Sequence, residues 1–125
     1  MTEKAELLLV PSFADLPNDQ IEWFLSQAEE LRFNAGDSLI NAGDPADAMF
    51  VLLEGQLQAR GEFGGETIVI AVSAGQVTGR LPYSRMKTFT FGARALTDCR
   101  ILRFPESKFH ELVQKMPELT ERLVA

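Results

Sequence analysis

The chain has 125 residues and 13.9 kDa, with 46% hydrophobic and 24% charged residues, which suits one soluble globular domain over residues 1–125. Eighteen acids against twelve Lys and Arg leave a net charge of -6, which disfavours attraction to nucleic-acid phosphates. A single cysteine, Cys99, excludes an intramolecular disulfide, and a single histidine, His110, excludes a His-rich metal centre and most acid–base chemistry near neutral pH.

The elements follow in chain order. No apolar run approaches the roughly 18 residues a membrane helix needs. Glu3 and Glu6 stand where a signal peptide wants positive charge, so a reducing cytoplasm is expected for the unpaired Cys99. Residues 11–16 read as a tight turn that buries Phe13 and Leu16. Residues 17–32 read as a helix, with Ile21, Phe24, Leu25, Ala28 and Leu31 at helical spacing and Asn18 and Asp19 near its start. Trp23 sits beside that stripe.

From Phe33 onward, short apolar runs alternate with Gly, Asp and Pro clusters, the texture of many short strands. Residues 56–60 alternate, so one face should be wet, whereas residues 49–53 are continuously apolar and should be buried on both faces. Residues 79–87 interrupt the texture, and strands are expected again over 88–96 and 100–104. Phe109, Leu112, Val113 and Met116 return to helical spacing, and Pro117 opens a last helix at a position where proline is tolerated. The prediction is a mainly β fold with flanking helices: an eight-stranded jelly-roll-like β-barrel over 32–104, a helical start over 1–31 and helices over 105–125.

Residues 39–55 run Leu-Ile-Asn-Ala-Gly-Asp-Pro-Ala-Asp-Ala-Met-Phe-Val-Leu-Leu-Glu-Gly. This stretch resembles the first signature of the cyclic-nucleotide-binding domain family, as in bacterial catabolite activator proteins and regulatory subunits of cAMP-dependent kinases. Residues 33–37 and 97–102 match as well, and the likeness covers about residues 8–124. The resemblance implies the double-stranded β-helix form of the jelly roll. Gly36, Gly43 and Gly55 are read as turn residues that shape it, without touching a ligand.

The family's second signature is where this chain departs. Members that bind cyclic nucleotides carry Phe-Gly-Glu and, some residues later, an arginine followed by two small residues; the glutamate takes the ribose hydroxyl and the arginine the cyclic phosphate. Here Gly79 is kept, but Arg80 stands at the glutamate position, Pro82 replaces a small residue, and Phe89 falls at the arginine position. Removing one partner of an arginine–phosphate pair costs roughly 2–5 kcal/mol, and losing the carboxylate–ribose bond adds about 1.5–3 kcal/mol. Half of that sum lowers affinity by about two orders of magnitude, so weak or absent cAMP and cGMP binding is expected.

Arg80 and Arg85 flank Leu81-Pro82-Tyr83-Ser84. Folded as a short helix, this piece would offer free amides and two cations to an anion. The candidate site is Gly79, Arg80, Leu81, Tyr83, Arg85 and Thr90, with a small anionic ligand or nucleotide as occupant and no metal or cofactor. The opposing expectation is a pocket plugged by Leu81, Tyr83 and Phe89, with both arginines in water. Phe89 and Phe91 are expected to pack in the core, Cys99 to be buried and inert, and His110 to be solvated.

The expected role is a non-catalytic sensory or regulatory module of a bacterial-type signalling protein; residues 79–86 are also similar to a form seen in N-terminal sensory domains of such proteins. The alternative is a ligand-free platform for protein interaction or dimerisation. A cupin-type metal enzyme is disfavoured, because His110 alone cannot supply its ligands. Residues 117–125 are expected to carry the output, to a downstream domain or a homodimer partner, which would make the chain a fragment or a stand-alone regulatory subunit.

Overall fold

The computed structural model describes residues 2–124. Helix α1 (Lys4–Leu8) and a single helical turn (Pro11–Phe13) precede α2 (Asn18–Gln27). Eight strands follow: β1 (Glu29–Phe33), β2 (Ser38–Ile40), β3 (Ala48–Glu54), β4 (Gln56–Phe63), β5 (Glu66–Ser73), β6 (Val77–Gly79), β7 (Phe91–Ala95) and β8 (Cys99–Pro105). A short turn (Glu106–Lys108), α3 (Phe109–Lys115) and α4 (Pro117–Val124) complete the chain.

The strands form two antiparallel four-stranded sheets, ordered β1-β8-β3-β6 and β2-β7-β4-β5. Two faced sheets of eight strands are the expected jelly roll, although hydrogen bonding does not close them into one continuous barrel.

Two departures from the sequence reading concern element ends. The helix expected over 17–32 stops at Gln27, because Ala28 turns extended (φ -90°, ψ 153°) and Glu29–Phe33 pairs with β8, Leu31 opposite Ile101. Pairing with a central strand outweighs the helical spacing of Ala28 and Leu31. The strand expected over 88–96 is regular only at Phe91–Ala95; before it, Thr88 makes one isolated bridge to Pro45.

The first sheet is the middle layer of the molecule. On β3, Met49 and Val51 face the helices while Phe50 and Leu52 face the second sheet, so the apolar run is buried on both sides as expected. Between helices and sheet, Phe24 stacks on Phe104 (centroids 4.7 Å) and meets Phe13 edge-on (4.8 Å). Trp23 is half-buried against Phe104, and Lys115 lies over its ring at 5.7 Å. Phe13, Leu16 and Cys99 are buried, and His110 is exposed.

Gly36, Gly43 and Gly55 all take positive φ at turns. At Gly55 the need is also spatial, since a Cβ there would stand 2.4 Å from the Asp98 carbonyl oxygen.

Arg100 ties the helical layer to the roll. Its guanidinium donates to Glu6 Oε2 at 2.6 Å, to Glu30 Oε1 at 2.8 Å and also to Glu54, joining α1, β1, β3 and β8. Arg122 fastens α4 to the N-terminal turn by donating to the Ser12 and Ala14 carbonyls at 3.0 and 2.7 Å. On α4, Leu119 is buried, Leu123 packs partly against the core and Val124 is exposed; of the residues 117–125 expected to carry the output, Ala125 lies outside the described residues. Among the described residues no helix is long and apolar enough to cross a membrane.

Candidate functional site

The segment after β6 is built by its neighbours on the first sheet. Strand β6 lies at the sheet edge, with Thr78 opposite Phe50 and Gly79 opposite Met49. Gly79 has φ +89°, and a Cβ there would stand 2.7 Å from the Phe50 ring and 2.8 Å from the Ala48 oxygen. Only glycine lets the chain pass this point. The Arg80 amide then donates to Ala48 O at 2.9 Å.

No helix forms over residues 79–86. Instead Leu81-Pro82-Tyr83-Ser84 is a β-turn closed by Ser84 N–H to Leu81 O at 3.1 Å. Pro82 occupies its second position and Tyr83 its third, with a left-handed φ of 66°. That left-handed residue ends any right-handed helix at once. Three of the segment's amides are engaged as well: those of Arg80, Ser84 and Met86 bond Ala48 O, Leu81 O and Ser84 Oγ. The expected cradle of free amides is therefore replaced by a self-bonded turn.

The Arg80 guanidinium is turned onto the protein's own main chain. Nη1 donates to Ala46 O at 3.0 Å and Nη2 to Ser84 O at 3.2 Å, and Glu106 Oε1 lies 3.6 Å from Nη1. The side chain is only 20% exposed. It clamps the turn to the start of β3 and to the turn after β8.

The other expected site residues scatter. Leu81 packs against the helical core, Tyr83 is 72% exposed, and Arg85 is exposed without an ion pair among the described residues. Tyr83 is therefore no plug. Phe89 is buried and meets Phe91 edge-on at 5.7 Å, as the core-packing expectation had it. Its main chain zips onto the first signature, Phe89 N to Asp44 O and Gly43 N to Phe89 O. Thr90 lies apart from Arg80 and Arg85, on a groove beside Arg60 and Glu62. Arg60 and Arg94, which share another hollow on this sheet, were not singled out as site residues from sequence. The signal was present in the alternation that marks one face of residues 56–60 as wet.

Between β4, β5 and Thr78 lies an apolar cup of about 200 Å³, lined by Phe63, Ile68, Ile70 and Phe91. Among the described residues its lining holds no carboxylate and a single cation, Arg60.

Residues 30–116 match the family profile described as the cyclic nucleotide-binding domain. The chain is 27% identical over 108 residues to the cAMP-activated global transcriptional regulator CRP of Escherichia coli, covering 84% of this chain and 51% of that protein. A stretch of 94 residues is 31% identical to the lysophospholipase nte1 of Neosartorya fischeri, covering 74% of this chain and 6% of that protein. The chain thus spans about half the length of the CRP relatives it matches. Among solved structures, the sensor domain of the transcriptional regulator DNR from Pseudomonas aeruginosa superposes with TM-score 0.80 at 16% identity, covering 97% of this chain and 83% of that one. The regulatory subunit of a cAMP-independent protein kinase A from Trypanosoma brucei gives 0.81 at 18% identity, covering 94% and 44%.

Proposed function

The chain belongs to the cyclic nucleotide-binding domain family, and from that premise we propose that it is a non-catalytic regulatory module whose response does not run through cAMP or cGMP. The observation that carries this reading is the Arg80 clamp. The side chain at the position of the ribose-binding carboxylate is a cation committed to Ala46 O, Ser84 O and Glu106. Phe89, at the position of the phosphate-binding arginine, is buried among apolar neighbours. Neither recognition group of the family's ligand has a counterpart. The buried unpaired Cys99 supports placing the module in a reducing cytoplasm.

Calorimetry with cAMP and with cGMP tests this reading. The expected dissociation constants lie above about 100 μM, and a value below about 10 μM for either nucleotide overturns it.

A second reading, the interaction platform, is supported by β5. Among the described residues this edge strand pairs with β4 alone, in unbroken register from Gln56–Ser73 to Phe63–Glu66. Residues 67–73 carry no charge, and Ile68, Val69 and Ile70 are 41%, 52% and 57% exposed. Edge strands are ordinarily shielded by Lys, Pro or a bulge, and this one has none. Its fitting occupant is a second copy of the chain, since antiparallel pairing of β5 with itself places Glu66 opposite Ser73 and sets no like charges together. Ile70→Lys would then abolish a dimer seen by sedimentation, and a wild type that stays monomeric at high concentration would exclude it. Output to a downstream domain or a homodimer partner is proposed through α4, whose Arg122 contacts can be made or lost as a unit.

A further inference from the structure

The outer face of the second sheet carries a polar hollow remote from the Arg80 clamp. Strand register sets Ser38, Arg94 and Gln58 in one row across β2, β7 and β4, and Arg60 beside Gly92 in the next. Successive side chains point to opposite faces of a strand. With Leu57, Ala93 and Ala95 buried inside, Gln58, Arg60, Gly92 and Arg94 face outward. Gly92 contributes no side chain, and the space it leaves is a hollow of about 300 Å³ walled by Arg60, Arg94, Asn41 and Gln58.

The two guanidiniums share this hollow without a carboxylate partner among the described residues. Arg80, Arg100, Arg103 and Arg122 each meet a carboxylate. The side chains of Arg60 and Arg94 are exposed and, among the described residues, make no ion pair or hydrogen bond. They occupy diagonal positions on neighbouring strands, where like charges repel. The chain has eighteen acids, and among the described residues none is ion-paired with either arginine. Two planar forks lining one open hollow suit the oxygens of a phosphate group, which accept paired N–H donors. Asn41, Gln58 and Ser38 add neutral polar groups around the same floor. The overall charge of -6 repels an extended polyanion, so a compact one fits better.

We propose that this hollow binds a small soluble phosphate-bearing molecule, held by Arg60 and Arg94 over the floor left open by Gly92. The anion is thereby assigned to the outer face of the second sheet, away from Arg80 and Arg85.

Inorganic pyrophosphate, titrated calorimetrically into the whole chain, is the probe. Binding should weaken as salt rises from low to physiological strength. Arg60→Gln and Arg94→Gln should each weaken it about tenfold or more, and the double variant should abolish it. Arg85→Gln should leave it unchanged. Gly92→Val should block the floor with both charges in place; should that variant fail to fold, the arginine pair decides alone, because both side chains are solvent-exposed and the fold does not depend on them. Vesicles rich in phosphatidic acid should pellet no more protein than neutral vesicles. The proposal is overturned by absence of pyrophosphate binding to the wild type, by unchanged affinity in the double variant, by an equal loss in Arg85→Gln, or by vesicle capture that the double variant abolishes.

Discussion

Arg80 donates a hydrogen bond from Nη1 to the main-chain oxygen of Ala46, 34 residues upstream, at 3.0 Å. Arg80 is thereby a fastener between the segment before β3 and the turn that follows β6. Its loss should register as instability. Arg80→Ala leaves two carbonyl oxygens without their charged donor, and should lower unfolding free energy by about 2 kcal/mol. Urea denaturation followed by the fluorescence of Trp23 measures it. Wild-type stability in this variant would mean that the clamp holds nothing.

Combining Arg80→Glu with Phe89→Arg should not create a cyclic-nucleotide site. In Arg80→Glu a carboxylate would face the oxygens of Ala46, Ser84 and Glu106. Phe89→Arg would bury a charge where only 5% of the side chain now reaches solvent. The amides of Arg80 and Ser84 are also already bonded. The double variant is expected to be less stable than the wild type and to bind cAMP no better than about 100 μM by calorimetry. Micromolar binding would show that side chains alone were missing.

Acid should loosen the junction between α1, β1 and β8. The hydrogen bond from Arg100 holds the Glu30 carboxyl down at about 2, and the same guanidinium lowers Glu6. Both carboxyls titrate near 4.5 when unfolded. Between those values the unfolded chain binds more protons, so this stabilisation is complete above about pH 4.5 and fades as pH falls toward 2. For Glu30 the loss is roughly 2 kcal/mol. Arg100→Gln should cost about 3 kcal/mol at pH 7 by stranding three carboxylates together. The gap to wild type should narrow at pH 4, as the stranded carboxyls take up protons. A gap that does not change with pH would remove Glu6 and Glu30 from the account.

Tyr83 offers a test of the turn itself. It holds φ +66° with 72% of its side chain in water. Left-handed backbone costs a residue with a Cβ about 1 kcal/mol, which glycine escapes at some cost in unfolded-chain entropy. Tyr83→Gly should be neutral or slightly stabilising in a thermal melt. A drop of several degrees would mean that the ring fills a space inside the protein after all.

Local chemistry settled much of this molecule before any tertiary contact was considered. The glycine-punctuated short strands, the doubly buried run at residues 49–53, the turn at Phe13 and Leu16, and Pro117 at a helix start all follow from backbone preference and burial pattern, which act over a few residues. That Arg80 and Phe89 are the residues at these positions was equally legible, because it needs only their identities. Three matters were decided by contacts distant in sequence. Residues 29–33 became a strand because β8 was there to pair with. Residues 79–86 became a self-bonded turn because Ala46, Ala48 and Glu106, from other parts of the chain, took up the groups of Arg80. Arg60 and Arg94, 34 residues apart, came to share a hollow only through the register of β4 with β7. A side chain's type tells which bonds it can make; which partner it meets depends on chain segments brought together by folding, and no local spacing encodes that choice.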